Sequence, residues 1–199
     1  CYMHKASGMV RDVFRTRNMR GLPGTVGLGQ VRYSTAGNAY REEEAQPFYV
    51  NAPFGIVLVH NGNLTNVVAL RRELFKLDRR HINTESDSEV LLNIFAHELE
   101  RAARGSLLTP EEIFEAVKRV HNRVRGSYAV IALIAGYGLL AFRDPYGIRP
   151  LCIGEADTPE GREVLVASET VAIEGTGHQV LRDIAPGEAV FIDLQGQLH

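Results

Sequence analysis

Three short segments of this sequence carry side chains that could bind a small amide substrate and polarise it. Arg32 lies at the end of an apolar stretch, where a guanidinium can make a bidentate contact with a carboxylate. Asn61 and Gly62 offer a side-chain amide and a backbone N–H that can converge on one oxygen, because glycine leaves room for a close approach. Asp87 offers a carboxylate for an ammonium group. Together these groups would hold an α-amino acid whose side-chain amide is to be cleaved.

Each of these groups also has an ordinary structural explanation. Arg32 could form an ion pair, and Asn-Gly is the strongest short signal for a hairpin turn. Asp87 stands in the first turn of a predicted helix, where a carboxylate complements the helix dipole. Only the combination of the three indicates a binding site.

Other kinds of site are disfavoured by the sequence. The glycines between residues 21 and 29 enter a predicted strand and no Gly-Lys-Ser/Thr follows, so they indicate a closely packed strand and no phosphate loop. The seven histidines and two cysteines show no metal-ligand spacing and no disulfide framework. We therefore expect no metal site and no cofactor in this chain.

Composition indicates an ordinary globular protein. The 199 residues are 45% hydrophobic and 23% charged, and the net charge of −2 gives no reason to expect nucleic acid as a partner. No apolar run is long enough to cross a bilayer, and the first residues lack the layout of a secretory signal. We expect no membrane partner and a cytoplasmic protein.

The strands are predicted from apolar alternation. The glycine-rich residues 24–37 form the first, and residues 54–60 form the second, which ends at Asn61-Gly62. Further strands are predicted after Gly126, with residues 154–163 as a hairpin loop.

Between these strands the pattern predicts three helices. The first has Thr65 or Asn66 as its cap and carries apolar residues at helical spacing, namely Val67, Leu70, Leu74 and Leu77. The second opens with a capping box formed by Ser86 and Glu89. The third opens with Thr109 as cap, Pro110 at its first position and Glu112 closing the box.

The order of these elements predicts the fold class. Strands, then a block of helices, then strands joined by short connections are typical of an α+β fold with mainly antiparallel sheets. The sequence shows no sustained strand–helix–strand alternation, which would indicate a parallel sheet. It also shows no internal repeat and no linker between domains. We expect residues 1–199 to form one domain.

A series of sequence blocks resembles one known family. The chain is similar to the N-terminal glutaminase domain, a class-II glutamine amidotransferase domain, of amidophosphoribosyltransferases. The blocks that carry this resemblance are VRYSTAG, EAQPFYV, HNGNLTN, INTESDSE, RGSYAV, FRDPYGIRPL, VASET and LRDIAPGE. The pair EAQPFYV and FRDPYGIRPL separates it best from other glutaminase domains.

The resemblance implies a fold and a set of residue roles. The fold is that of N-terminal-nucleophile hydrolases, a four-layer αββα sandwich of two antiparallel sheets. By the same resemblance, Asn61 and Gly62 form the oxyanion hole, Arg32 with Thr35 close by binds the glutamine α-carboxylate, and Asp87 binds the α-ammonium.

The resemblance also implies an activity and partners. Such domains hydrolyse L-glutamine and release ammonia for phosphoribosylamine synthesis, the first step of purine biosynthesis. The partner is a phosphoribosyltransferase domain of the same polypeptide, of which this sequence shows no pattern, and the enzyme is a homo-oligomer. The full-length enzyme uses Mg²⁺, and the family has members with and without an iron–sulfur cluster.

The start of the chain departs from the family pattern. In the family a cysteine at the first position is the nucleophile, with its own α-amine as proton carrier, and a Cys-Gly-x-x-Gly strand follows. Here CYMHKASGMV matches a stretch about forty residues farther into the domain, which makes Cys1 either that nucleophile or a chance cysteine at a truncated start. From this match we expect residues 1–199 to be a glutaminase domain that is partial at its N-terminus and lacks its nucleophile. The alternative to an enzyme is a non-catalytic glutamine-binding fragment or module.

Overall fold

A computed structural model of the chain describes residues 1–31 and 42–199. A short 3₁₀ turn at Glu42–Glu44 precedes the first strand. In chain order the helices and strands are α1 (Val10–Val13), α2 (Thr16–Arg20), β1 (Phe48–Val50), β2 (Ile56–Leu64), α3 (Val67–Lys76), α4 (Asp87–Ala102), α5 (Pro110–Arg123), β3 (Gly126–Ile134), β4 (Gly138–Arg143), β5 (Cys152–Thr158), β6 (Gly161–Ala167), α6 (Thr170–Gly175), β7 (Gln179–Asp183) and β8 (Ala189–Asp193).

Two antiparallel sheets form the centre of the fold. One has five strands in the order β1-β2-β3-β4-β8, and the other has three strands in the order β6-β5-β7. Their facing surfaces bury small and β-branched side chains, among them Ala129 and Ala141 from the larger sheet and Ile153 and Val166 from the smaller. Such side chains allow two sheets to pack closely face to face.

Helices cover both outer faces of this sandwich. On the larger sheet, α3, α4 and α5 bury the main core, in which Phe95 and Leu91 of α4 are fully inaccessible. On the smaller sheet, α6 packs Ile173 so closely over Gly154 that a side chain at Gly154 would collide with it. The order helix, sheet, sheet, helix is the four-layer αββα arrangement that the resemblance implied.

One buried ion cluster ties the helical layer together. The Arg123 guanidinium at the end of α5 donates to Glu98 on α4 at 2.6 Å and to Asp78, just after α3, at 3.0 Å. Burial alone would lower the pKa of Arg123, but the two carboxylates outweigh it and raise the pKa. The three helices therefore have a fixed arrangement above the larger sheet.

The structure corrects three strand predictions. Residues 24–31 form no strand, and the glycines there are not explained by close packing, since a Cβ at Gly27 or Gly29 would meet nothing. The strand predicted to end at His60 continues to Leu64, because β3 pairs with it over that whole length. The loop predicted over residues 154–163 is mostly strand, since β5 and β6 pair out to Thr158 and Gly161.

The helix predictions fared better. The capping box of α5 forms as predicted between Thr109 and Glu112. That of α4 was wrong: Ser86 accepts from the Ser88 N–H, but the Thr84 hydroxyl takes the Ser86 N–H, and Glu89 turns to the loop before the helix. Of the predicted stripe on α3, Leu77 is exposed because the helix ends at Lys76.

Five elements were missed, namely α1, α2, β1, β7 and α6. They are short, and neither alternation nor helical spacing develops over so few residues. No helix in the described ranges is long and apolar enough to cross a membrane.

Candidate active site

The predicted oxyanion pair lies on β2, at an edge of the larger sheet where no strand of the described residues pairs with it. Strand β1 pairs with β2 only from Phe48↔Leu58 to Val50↔Ile56, so β2 extends past its neighbour. Asn61 and Gly62 stand on this extension, paired on their other side with Ala129 and Tyr128 of β3. Within the described ranges the Asn61 side-chain amide makes no hydrogen bond, so it is available to a ligand.

Backbone geometry indicates where the Gly62 N–H points. N–H groups alternate between the two sides of a strand. The His60 N–H and the Leu64 N–H both bond on the β1 side, to Gln46 and Asp87 respectively. Gly62 lies midway between them, so its N–H faces the same edge, beyond the end of β1.

Asp87 lies beside this edge. It is the first residue of α4, and its Oδ2 accepts the Leu64 N–H at 3.0 Å. Two residues along a strand span about 7 Å, which sets the scale of the gap between the Gly62 N–H and this carboxylate. The structure thus brings Asp87 to the same strand edge as Asn61 and Gly62, at a distance that a short amino-acid side chain can bridge.

His60 links the strand to the helix below the site. Its ring is 3% exposed, and Nδ1 lies 3.1 Å from the Ser88 Oγ and 3.8 Å from Asp87 Oδ1. Burial lowers the pKa of His60, and this outweighs the opposite effect of the Asp87 carboxylate. The ring is therefore neutral near pH 7, and its contacts to Ser88 and Asp87 fix the start of α4 against β2.

The loop after β4 is hydrogen-bonded to β3, next to Asn61 and Gly62. The buried Asp144 carboxylate accepts backbone N–H groups of Tyr128, Tyr146 and Ile148. Since Tyr128 pairs with Gly62, this cage fixes the strand on which the oxyanion pair depends. The positive charge of Arg149, from the same loop, also favours a neutral His60.

Two of the predicted binding residues, Arg32 and Thr35, lie outside the described residues. Cys1 is exposed. Met3, two residues farther along, lines a cavity of about 310 Å³ together with Pro47 and with Thr84 and Glu89 at the start of α4. Cys152 is buried in β5 of the other sheet, where burial raises the pKa of its thiol. Among the described residues, neither cysteine forms a hydrogen bond with Asn61 or Gly62.

Sequence reasoning missed His60, Gln46 and Asp144 as parts of this site. These residues lie within the blocks HNGNLTN, EAQPFYV and FRDPYGIRPL, but nothing in a sequence shows that the blocks meet. Across residues 1–31 and 42–199 no three His, Cys, Asp or Glu side chains are grouped so that they could hold a metal ion.

Comparison with known proteins gives one family. The profile of the family described as "Glutamine amidotransferase domain" matches residues 32–175. The chain is 55% identical to the amidophosphoribosyltransferase of Pseudomonas aeruginosa over 199 residues, which are 100% of this chain and 39% of that protein. It is 54% identical to the Escherichia coli enzyme of the same name over 197 residues, 98% of this chain and 39% of that one.

Two solved structures resemble the fold. One is the glutamine phosphoribosylpyrophosphate amidotransferase of Bacillus subtilis in complex with ADP and GMP, with a TM-score of 0.76 and 29% identity over 98% of this chain and 39% of that one. The other, titled as the allosteric regulatory enzyme of purine biosynthesis, has a TM-score of 0.77 and 30% identity over 96% of this chain and 38% of that one. The chain thus spans about two fifths of the length of these relatives.

Proposed function

The chain belongs to the glutamine amidotransferase domain family, and from that premise we propose that it is the glutamine-hydrolysing part of an amidophosphoribosyltransferase. In this function the side-chain amide of L-glutamine is cleaved, and the ammonia is passed on for phosphoribosylamine synthesis, a glycosyl transfer that opens purine biosynthesis. The two bacterial relatives of this name described above match 98–100% of the chain at 54–55% identity.

A single structural observation supports the proposal most directly. The Gly62 N–H and the Asp87 carboxylate lie along one edge of β2 beyond the end of β1, next to Asn61, and no described residue forms a hydrogen bond with the Asn61 side chain. Two neutral donors suit a developing oxyanion, and the carboxylate suits an ammonium. Glutamine presents these two groups at opposite ends of a short carbon chain.

The proposed reaction assigns roles to these residues. A cysteine thiolate attacks the amide carbon of glutamine, and the negative charge that develops on the carbonyl oxygen is stabilised by Asn61 and Gly62. Collapse of this intermediate expels ammonia and leaves a glutamyl thioester, which water then hydrolyses to glutamate and free thiolate. We assign the α-ammonium to Asp87 and the α-carboxylate to Arg32, with Thr35 beside it.

We propose further features by the same argument. Residues 1–199 form one glutaminase domain, which works with a phosphoribosyltransferase domain of the same polypeptide in a cytoplasmic homo-oligomer. We assign Mg²⁺ and any iron–sulfur cluster to the full-length enzyme.

One observation favours a second candidate function. Among the described residues, neither cysteine forms a hydrogen bond with Asn61 or Gly62: Cys1 is exposed and Cys152 is buried in the other sheet. A chain that keeps the pocket without a thiol beside it would bind glutamine without hydrolysing it. This is the alternative reading, a glutamine-binding module.

The experiment compares binding with turnover. We expect calorimetry to detect glutamine binding, and the native polypeptide that carries this sequence to release ammonia from it. Substitution Asn61→Ala should lower kcat by about 10²–10³, whereas Asn122→Ala, at an exposed position on α5, should leave kcat unchanged.

The outcomes separate the two readings. Binding without ammonia release would favour the binding module, and absence of binding would contradict both. Alkylation by a glutamine-analogue electrophile identifies the nucleophile: stoichiometric labelling of Cys1 together with ammonia release would show that Cys1 serves this role.

A further inference from the structure

Gln46 makes an unusual contact with the residue that precedes the oxyanion pair. Its side-chain Oε1 accepts the His60 N–H at 2.5 Å, and its Nε2 donates to the His60 carbonyl oxygen at 2.9 Å. One side-chain amide therefore pairs with both backbone groups of a buried strand residue. In an antiparallel sheet, these two hydrogen bonds are normally made by the backbone of a residue on the neighbouring strand.

The register explains why a side chain does this. β1 pairs with β2 as Phe48↔Leu58 and Val50↔Ile56, so continuing the ladder would place Gln46 opposite His60. The backbone pairing nevertheless stops at Phe48, immediately after Pro47. The Gln46 side chain replaces the missing backbone pairing for one residue, and the strand-like pairing ends there.

The point at which β1 stops pairing with β2 determines which backbone N–H groups of β2 are left without a strand partner. The two filled positions on this edge are the His60 N–H, held by Gln46, and the Leu64 N–H, held by Asp87. The Gly62 N–H lies between them. If β1 had continued as a full strand, its backbone would have covered this edge and competed for the Gly62 N–H.

We propose that Gln46 is a positioning residue for amide hydrolysis: it fixes the His60 peptide and so aligns the Asn61 amide and the Gly62 N–H on the part of β2 that extends past β1. This inference rests on the proposed function. Gln46 touches His60 and not the substrate, so its effect is exerted through the strand. A misplacement of about 1 Å in such a site can cost on the order of 10² in rate.

The first test is Gln46→Ala in the native polypeptide, with steady-state kinetics of ammonia release. We expect kcat to fall about 10- to 100-fold, with the KM for glutamine within about twofold, because the Asp87 contact that the proposal assigns to the ammonium is untouched. The matched control is Gln179→Ala, since Gln179 is an exposed glutamine on a strand of the other sheet. It should change neither constant.

The second test uses Gln46→Glu and a pH profile. The introduced carboxylate can accept the His60 N–H but cannot donate to the His60 carbonyl, whereas its protonated form can do both. We therefore expect the ratio of variant to wild-type kcat to rise as pH falls, and the same ratio for Gln46→Ala to stay flat. A residue with a merely structural role would not produce this difference.

The outcomes distinguish this inference from the function on which it depends. If the wild-type polypeptide releases no ammonia, the proposed function fails. If it does, and Gln46→Ala keeps the wild-type kcat, or loses it with a parallel rise in KM and a flat pH ratio for Gln46→Glu, the inference is overturned while the function stands.

Discussion

Gly62 has two physical reasons to be glycine. Its φ of +148° lies in a region that L side chains rarely adopt. A Cβ at this position would also collide with the Ser127 carbonyl oxygen of the neighbouring strand. Both constraints act at the residue whose N–H we assign to the oxyanion, so the chemistry and the packing of this position cannot be separated.

We predict that Gly62→Ala destabilises the protein by about 2 kcal/mol or more, through strained backbone and overpacking against β3. Denaturant unfolding measures this, and glutamine hydrolysis should fall with it. The control is Gly175→Ala at the end of α6, where a Cβ would meet nothing and φ is ordinary. Equal stability of Gly62→Ala and wild type would contradict the close packing of β2 on β3.

For single residues, the sequence indicated which side chains could bind a substrate, but it did not indicate which residues contact each other in the fold. Asn61, Gly62 and Asp87 were predicted from their chemistry, and the structure places Asp87 against Leu64, two residues beyond Gly62 on the same strand. Gln46 could not be predicted in the same way, because its role depends on the register between β1 and β2. Register is fixed by long-range pairing that no local pattern contains.

Among the elements, α4 matters most to the site, since it presents Asp87 from its first turn. Its start is held by Glu89, whose carboxylate accepts from the backbone N–H groups of Asn83 and Thr84 at 2.9 and 2.7 Å, and also from the Thr84 hydroxyl. Burial alone would raise the pKa of Glu89, but these hydrogen bonds outweigh it and lower the pKa. The carboxylate therefore fastens the preceding loop to the helix.

This arrangement predicts a pH dependence of stability. A carboxyl whose folded pKa lies below its ordinary value of about 4.3 contributes stability that is present above that value and lost as pH falls through the folded pKa. We expect Glu89→Gln to lower the free energy of unfolding by about 1–3 kcal/mol at pH 7. The difference from wild type should shrink on acidification below about pH 4.

Denaturant unfolding at several pH values measures this difference. Glu85→Gln is the matched control: Glu85 lies in the same loop, is exposed, and makes only a long contact of 3.9 Å with Arg71. It should shift stability little at any pH. A difference for Glu89→Gln that stays constant down to pH 3 would exclude the carboxylate as its source.

The capping of α4 also shows what local patterns miss. The S-x-x-E pattern at Ser86 and Glu89 is the same as that which correctly predicted the start of α5. At α4, however, the Thr84 hydroxyl reaches the Ser86 N–H first, and the loop offers Glu89 several other donors. The S-x-x-E pattern therefore predicted where α4 begins, but the hydrogen bonds of Ser86 and Glu89 depend on the loop that precedes the helix.

For the molecule as a whole, the order of strands and helices was enough to predict an α+β fold, because short connections between strands force antiparallel pairing. The stacking of two sheets followed from the family resemblance, not from the pattern. What brings the site together is the five-stranded sheet, which aligns the free end of β2 with the start of α4. The smaller sheet lies on the far face, and its β5 carries the second cysteine, Cys152.

The two cysteines differ in exposure, so their reactivity towards thiol reagents should differ. Cys1 is exposed, whereas Cys152 is 2% exposed in the centre of the smaller sheet, with its Sγ against the Ala167 carbonyl. Burial, with the Asp183 and Glu169 carboxylates, raises the pKa of the Cys152 thiol. Since the thiolate is the reactive form, Cys152 should resist alkylation until the two sheets separate.

We predict that a maleimide at pH 7 labels Cys1 quickly and Cys152 only as the protein unfolds. Mass spectrometry across a urea series measures this, and labelling of Cys152 should follow the unfolding transition seen by circular dichroism, because β5 is the central strand of its sheet. In the Cys1→Ser variant the native protein should take up no label. Rapid labelling of Cys152 in that variant without urea would show that the smaller sheet opens independently of the five-stranded sheet, and that the sandwich does not unfold as one unit.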